Sequence, residues 1–332
     1  MKIVVVTDAW SPQVNGVVTT LGRIKKGLEE RGHTTYFLTP ADFTSIPCPT
    51  YPEIRLSLLP FRRIAKRIEQ FSPNAIHIAT EGPLGMAARK YCVRNRIAFT
   101  TAYHTRFPEY VHARIRLPVG VSYRWLRHFH QPAHKVMVPT PAIREGLIGR
   151  GFENTVVWTR GVDTKNFCPG ESQLPDAKRP VFLYVGRVAV EKNIEAFLKL
   201  DLPGSKWVVG DGPQRAKLAS VYPDVHFAGM KTVDELPAYY RAADVFVFPS
   251  LTDTFGLVLL EALACGTPVA AFPVSGPIDV IGTAPVGVLD NDLRRACMAA
   301  LGIPRDAARR YAETFAWETS VQQFESYLAP AM

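Results

Sequence analysis

The chain has 332 residues, 47% hydrophobic and 21% charged, which is long enough for two separately cored domains and ordinary for a water-soluble protein. No window approaches the run of about eighteen apolar residues that a spanning helix needs, and the start Met1–Asp8 turns polar too soon for a secretory leader, so a cytoplasmic location is expected. The net charge of +9 is uneven: residues 1–165 hold 24 basic against 11 acidic side chains (+13), and residues 166–332 hold 15 against 19 (−4). A basic first half calls for an anionic partner, whether nucleic acid, an anionic membrane surface or an acidic substrate. Five scattered cysteines without a C-x-x-C pair argue against a disulfide framework or a cysteine-rich metal site.

Residues 2–6 read as a buried strand, followed by the loop Asp8–Gly16 and a helix over Val17–Arg31 that stops at Gly32. The loop sets Asn15-Gly16 at a helix N-terminus, where a phosphate or sugar can approach the backbone, although many first loops of α/β domains carry a glycine for conformational reasons alone. A strand at Thr34–Leu38 precedes a Pro-rich irregular piece, Pro40–Pro60, and a basic helix with Arg62, Arg63, Lys66 and Arg67. Ala75–Ile78 is a short strand, Thr80-Glu81-Gly82-Pro83-Leu84-Gly85 opens a helix ending near Arg94, and the strand Phe99–Thr101 delivers Tyr103-His104-Thr105 at its carboxyl end. Strand ends gather site residues in this architecture, which singles out His104, while a lone histidine is more often structural. His128, His130 and His134 lack the i, i+4 pairing of a helical metal site and read as surface or interior filler.

Over Arg114–Phe129, apolar side chains at 117, 121, 125 and 129 share one helical face beside Arg116, Arg124 and Arg127. That pattern fits an interfacial basic amphipathic segment and equally a helix docked on a core. A strand at Lys135–Pro139 and a helix at Pro141–Arg150 lead to Arg160-Gly161-Val162-Asp163, and the polar stretch running to Pro180 reads as an interdomain linker. The second half repeats the alternation. Strand Val181–Val185 enters the loop Gly186–Asn193, where Arg187 and Lys192 flank a helix start suited to a diphosphate, or form surface pairs with a glutamate. Strands at Trp207–Gly210 and Val225–Ala228 follow, the latter turning through Gly229-Met230-Lys231.

The stretch from Phe246 to Val269 then gives a buried strand, a polar loop, a helix opening near Phe255 and closing at Gly266, and another strand. Asp253 lies just before the helix, and Glu261 follows one turn below its opening. A carboxylate accepts two hydroxyls at once, so the pair suits a sugar and a ribose, with phosphates on the N–H groups of Phe255, Gly256 and Leu257. The competing reading makes Asp253 a helix cap and Glu261 an ordinary helical glutamate.

The run Ser250–Val269 resembles the donor-site signature of the retaining glycosyltransferases of family 4: an acidic residue, seven intervening residues and a glutamate. Its first acidic position is usually Glu and is Asp253 here, shorter by one methylene. The resemblance spans nearly the whole chain and implies the GT-B fold, α/β, with two doubly wound Rossmann-like domains facing across a cleft. It divides the chain into an acceptor-side domain (1–165), a donor-binding domain (166–315) and a terminal helix (316–332) returning to the first. It implies that Gly16 lies against the donor diphosphate, that His104 contacts the donor sugar and the reacting centre, and that Gly186, Arg187 and Lys192 form the phosphate clamp. The backbone around Met230 would hold the nucleotide base. No metal or cofactor is implied, because cations and a helix terminus stand where other transferases place a divalent ion.

Within the family, Thr80-Glu81-Gly82-Pro83, Tyr103-His104-Thr105, Arg160–Asp163 and Thr252–Gly256 resemble the branch of glucuronosyl- and sulfoquinovosyl-diacylglycerol synthases and GDP-mannose-dependent mannosyltransferases. The expected activity is transfer from UDP-glucuronate or UDP-glucose to diacylglycerol, by a protein held peripherally at the inner face of the cell membrane. A mannosyltransferase using GDP-mannose is the alternative. A nucleic-acid-binding protein would leave the clamp in the acidic half unexplained, and a sugar-nucleotide epimerase would need no acceptor.

Overall fold

The computed structural model describes residues 1–331 except 14, 49–50 and 173–176, and the side chains of 51–54 and 113–115 are outside that description. Val14 of the first loop, part of the predicted linker, and the side chains of Arg114 and Ile115 in the basic segment thus lie outside the described residues. The elements run β1 (Lys2–Val6), α1 (Gly16–Glu30), β2 (Thr34–Leu38), β3 (Ser45–Cys48), β4 (Tyr51–Ser57), α2 (Phe61–Phe71), β5 (Ala75–Ile78), α3 (Pro83–Asn95) and β6 (Thr100–Ala102). Then come α4 (Phe107–Ile115), α5 (Val119–His130), β7 (Lys135–Val138), α6 (Pro141–Ile148), β8 (Thr155–Val157), β9 (Val181–Val185), α7 (Glu195–Leu198), β10 (Ser205–Val209) and α8 (Arg215–Val221). The chain continues through β11 (Val225–Gly229), α9 (Leu236–Ala242), β12 (Val245–Phe248), α10 (Leu257–Ala264), β13 (Val269–Ala271) and α11 (Pro277–Val280). It ends with β14 (Gly287–Leu289), α12 (Leu293–Ala300), α13 (Arg305–Ala312) and α14 (Trp317–Tyr327).

Two units result, Met1–Arg160 with Trp317–Met332, and Gly161–Ala316. The chain passes between them at Arg160–Gly161, ahead of the Pro-containing stretch predicted as linker, because Val162 and Phe167 are already buried in the second unit's core.

The first unit holds a sheet of order β2-β1-β5-β6-β7-β8 and the second one of order β11-β10-β9-β12-β13-β14, every pairing parallel. Both faces of such a sheet must be covered, which is why β1 and β9 read as unbroken apolar runs. Val4 and Val6 point into the core under α2, α3 and α5, whereas Ile3 and Val5 meet Leu21, Ile24 and Leu28 of α1 together with Val321 and Phe324 of α14. The last helix therefore belongs to the first unit's core. Gly27 makes room for it, since a Cβ there would lie 2.4 Å from Val321 Cγ2. In each sheet the strand order reverses once, between β1 and β5 and between β9 and β12. Loops leaving the two strands at such a point diverge to opposite faces and open a crevice at their carboxyl ends.

Three expectations change. The Pro40–Pro60 piece is not wholly irregular: β3 and β4 pair antiparallel, with Ile46 opposite Leu56. The basic segment is not one helix, because Arg116 takes a left-handed φ of 56° after α4 and Pro118 precedes α5. Within α5 itself Phe129 is buried, while Val121 and Trp125 are 52% and 40% exposed. Finally, the loop after β9 leads into a 3-10 turn, Val190–Lys192, and the four-residue α7, too short to supply a strong helix dipole.

Candidate functional site

In the second unit the predicted residues collect at the reversal between β9 and β12. The loop after β9 carries Gly186, Arg187 and Lys192, and the loop after β12 carries Asp253, Phe255 and Gly256. Three contacts tie the loops together. Lys192 Nζ pairs with Asp253 Oδ1, Asn193 Nδ2 donates to Pro249 O (3.0 Å), and Thr252 Oγ1 donates to Glu191 O (3.1 Å). Tyr184 Oη, at the end of β9, fixes the start of the first loop by donating to Arg187 O (2.7 Å).

Helix α10 opens at Leu257 behind Gly256, whose φ of 84° only glycine adopts without strain, and no side chain caps it. Asp253 is therefore not a cap, and the first N–H groups of an eight-residue helix are left to other acceptors. Glu261 sits one turn further along and accepts from Tyr240 Oη at 2.9 Å. The phenol is buried in the second core and orients one carboxylate oxygen. Phe255 is 7% exposed, so its ring belongs to that core and only its backbone faces the loop. Met230 follows β11 and is 60% exposed. The two carboxylates, two cations and the helix opening thus gather within one unit. Cations, carboxylate acceptors of hydroxyls and helix N–H groups are together the donor and acceptor types that suit a diphosphate carrying sugars at both ends.

The first unit's reversal brings together groups that sequence reasoning did not single out. Asp8, after β1, accepts from Leu84 N (2.9 Å), Gly85 N (3.3 Å) and Thr80 Oγ1 (2.9 Å) at the opening of α3. Gly82 lets it in, because a Cβ there would be 2.5 Å from the Asp8 carboxyl carbon. Burial outweighs these three bonds and the nearby Glu81 adds repulsion, so the carboxyl is pushed up to about 6. His130 is fully buried with Nδ1 2.8 Å from Thr101 Oγ1 and Nε2 3.2 Å from Glu81 Oε1, so it steadies Glu81 beside Asp8. His128 and His134 are exposed. Gly16 opens α1, and Asn15 Oδ1 already accepts from Val17 N and Val18 N (both 3.0 Å), so this terminus carries its own acceptor.

His104, after β6, lies edge-on to Trp158 with ring centroids 5.7 Å apart. Burial, with Arg160 and His77 close by, lowers its pKa well below the usual imidazole value and keeps it neutral. The sequence signal for Asp8 and Arg160 was their place just after strands. Among the described residues, no three His, Cys, Asp or Glu side chains are grouped to hold a metal ion.

Residues 14–166 match the family described as Glycosyltransferase Family 4, and residues 179–302 the one described as Glycosyl transferases group 1. The GDP-mannose-dependent alpha-mannosyltransferase of Mycolicibacterium smegmatis is 30% identical over 87% of this chain and 84% of that protein. The alpha-monoglucosyldiacylglycerol synthase of Streptococcus pneumoniae is 28% identical over 98% of this chain and 83% of that one. Sucrose-phosphate synthase from Thermosynechococcus elongatus shares the fold, with a TM-score of 0.78 at 22% identity over 98% of this chain and 97% of that structure.

Proposed function

The chain belongs to the glycosyltransferases of family 4, with the GT-B fold, and on that premise we propose that it transfers glucuronate or glucose from UDP to a diacylglycerol hydroxyl with retention of configuration. The observation that carries the lipid acceptor is the outer surface of α4 and α5. Phe107 (46% exposed) and Trp125 stand 6.3 Å apart there, with Val121 and Leu117 uncovered and Arg116, Arg124 and Arg127 exposed around them. An uncovered apolar strip inside a cationic rim fits an anionic bilayer surface, where each basic residue contributes roughly 1 kcal/mol. No helix among the described residues is long and apolar enough to cross a membrane. Attachment in this reading is peripheral, at the inner face of the cell membrane. The alpha-monoglucosyldiacylglycerol synthase of Streptococcus pneumoniae supports the acceptor class.

In the transfer, negative charge grows on the departing diphosphate. Arg187, Lys192 and the N–H groups of Gly256 and Leu257 are placed to stabilise it without reorganising. Asp253 and Glu261 receive sugar and ribose hydroxyls, and the acceptor proton passes to a diphosphate oxygen on the same face. No step in this scheme uses a metal ion or other cofactor. Turnover is accordingly expected to persist in excess EDTA, and loss on chelation with rescue by magnesium would refute the scheme.

Flotation with liposomes tests the membrane reading. The protein should rise with anionic vesicles at low salt, stay behind at high salt, and lose most of its binding when Arg116, Arg124 and Arg127 are all changed to Gln. Indifference to anionic vesicles at low salt, with transfer to soluble sugars only, would overturn it.

A second reading, transfer of mannose from GDP-mannose, is favoured by the 30% identity to the Mycolicibacterium smegmatis mannosyltransferase. Thermal shifts with UDP and GDP separate the two, because the nucleotide that binds the folded state more tightly raises its melting temperature further at equal concentration.

A further inference from the structure

The first unit buries an arginine without an acidic partner. Arg160 is 4% exposed, and among the described residues no carboxylate lies within 4 Å of it. Its guanidinium lies 3.9 Å over the Trp158 ring, and Nη1 donates to Trp158 O (2.6 Å) and Thr159 O (3.2 Å). These supports are themselves held by α14. Trp158 Nε1 donates to Ser320 O (3.0 Å), while Thr159 N and Oγ1 both donate to Gln323 Oε1 (2.9 Å each). With one arm and the ring plane fixed, Nη2 is left 3.4 Å from Nδ1 of His104.

We propose that Arg160 is a positioning residue for the transfer: by donating to Nδ1 it fixes His104 as the neutral tautomer with its proton on Nε2. The argument is one of donors and acceptors. A guanidinium has no lone pair to offer, so the nitrogen it faces must be the acceptor, and the proton of a neutral imidazole then resides on the other nitrogen. A carboxylate at Nδ1 would do the opposite, holding a proton there and raising basicity. The charge of Arg160 also opposes a second proton on the ring, as does His77. His104 thus presents an N–H that can donate to a sugar oxygen and cannot serve as a base through Nδ1. Orientation comes from the same source, since His104 packs edge-on to the indole that carries Arg160. The role in transfer rests on the proposed function, in which His104 lies against the donor sugar; the tautomer does not.

Histidine labelled with nitrogen-15, with His104 assigned by its loss in His104→Gln, reads the protonated nitrogen directly by magnetic resonance. The wild-type protein should show His104 protonated on Nε2 and not titrating from pH 7.5 to 5. Arg160→Met should mix the tautomers and bring a titration into that range. It should also lower kcat at least about tenfold with an acid limb in its pH profile, leaving KM for the donor within about threefold. Arg160→Lys, which keeps a donor and a charge, should recover part of both effects. A wild-type proton on Nδ1 overturns the proposal without any variant, as does an unchanged tautomer in a folded Arg160→Met. A released tautomer with an unchanged kcat profile overturns the positioning role. Absence of transfer by the wild-type protein to any lipid or sugar acceptor counts against the proposed function instead, and the spectra still decide the tautomer.

Discussion

Replacing Lys192 with alanine should lower turnover about a hundredfold, roughly 2.7 kcal/mol of transition-state stabilisation, while weakening UDP binding less than about tenfold. The asymmetry follows from where the charge is. A bound nucleotide sugar already carries a diphosphate, and cleavage of its glycosidic bond adds a further negative charge at the oxygen nearest the clamp, so a fixed cation is worth more late than early. Lys192 has a second task, because its ammonium pairs with Asp253. Its removal leaves that carboxylate uncompensated beside the phosphates of the proposed donor, and Arg187→Ala should cost about tenfold to a hundredfold. Asp253→Ala and Glu261→Ala should each cost at least about tenfold, since in the proposed scheme each removes an acceptor for donor hydroxyls. Calorimetry with UDP beside steady-state rates decides the matter. Loss confined to affinity would make the two cations simple binding groups, and rates within about twofold of wild type would remove them from the mechanism.

The parts of this protein that were legible in the sequence are those where local pattern and global fold coincide. Unbroken apolar runs such as Val181–Val185 and Phe246–Phe248 announced parallel strands, and the polar residues after them marked the strand ends, whereas the 3-10 turn after β9 was not readable. The β3–β4 hairpin was hidden because its strands carry Pro47 and Pro52, which read as breakers. Helix α5 misled differently. The face containing Leu117, Val121, Trp125 and Phe129 is continuous in an ideal helix, but Arg116 and Pro118 interrupt it, and the side that packs is instead Tyr123, Leu126 and Phe129. The contacts of Asp8, Arg160 and His130 were not readable for a reason general to buried polar groups: the partner that singles each of them out lies tens of residues away, and spacing along the chain does not encode it.

Those buried groups predict how stability should depend on pH. His77 sits in β5 at 0% exposure, with Nδ1 2.9 Å from Thr100 Oγ1 and its ring 4.8 Å from Phe324. Burial, with Arg160 adding repulsion, pushes its pKa down to about 3. Unfolded, it would take a proton near the ordinary imidazole value of 6.5, so its contribution to stability is whole above pH 6.5 and is lost as pH falls toward 3. His104, lowered in the same direction, adds to that loss. Asp8 works the other way. Its folded value of about 6 against 3.8 unfolded means that the native state holds the extra proton between those values, so stability is gained as pH falls through that window. Below pH 6 Asp8 thus offsets one histidine and leaves the other. Wild-type stability measured by urea unfolding should therefore fall by about 1.4 kcal/mol per pH unit at most between pH 6 and 5, above the range where exposed carboxylates protonate. His77→Phe removes one histidine and should leave that interval nearly flat, whatever its effect at pH 7.5. Equal slopes in the two proteins would mean that His77 is protonated in the native state or reached by water, and the buried account of this face of the sheet would fail.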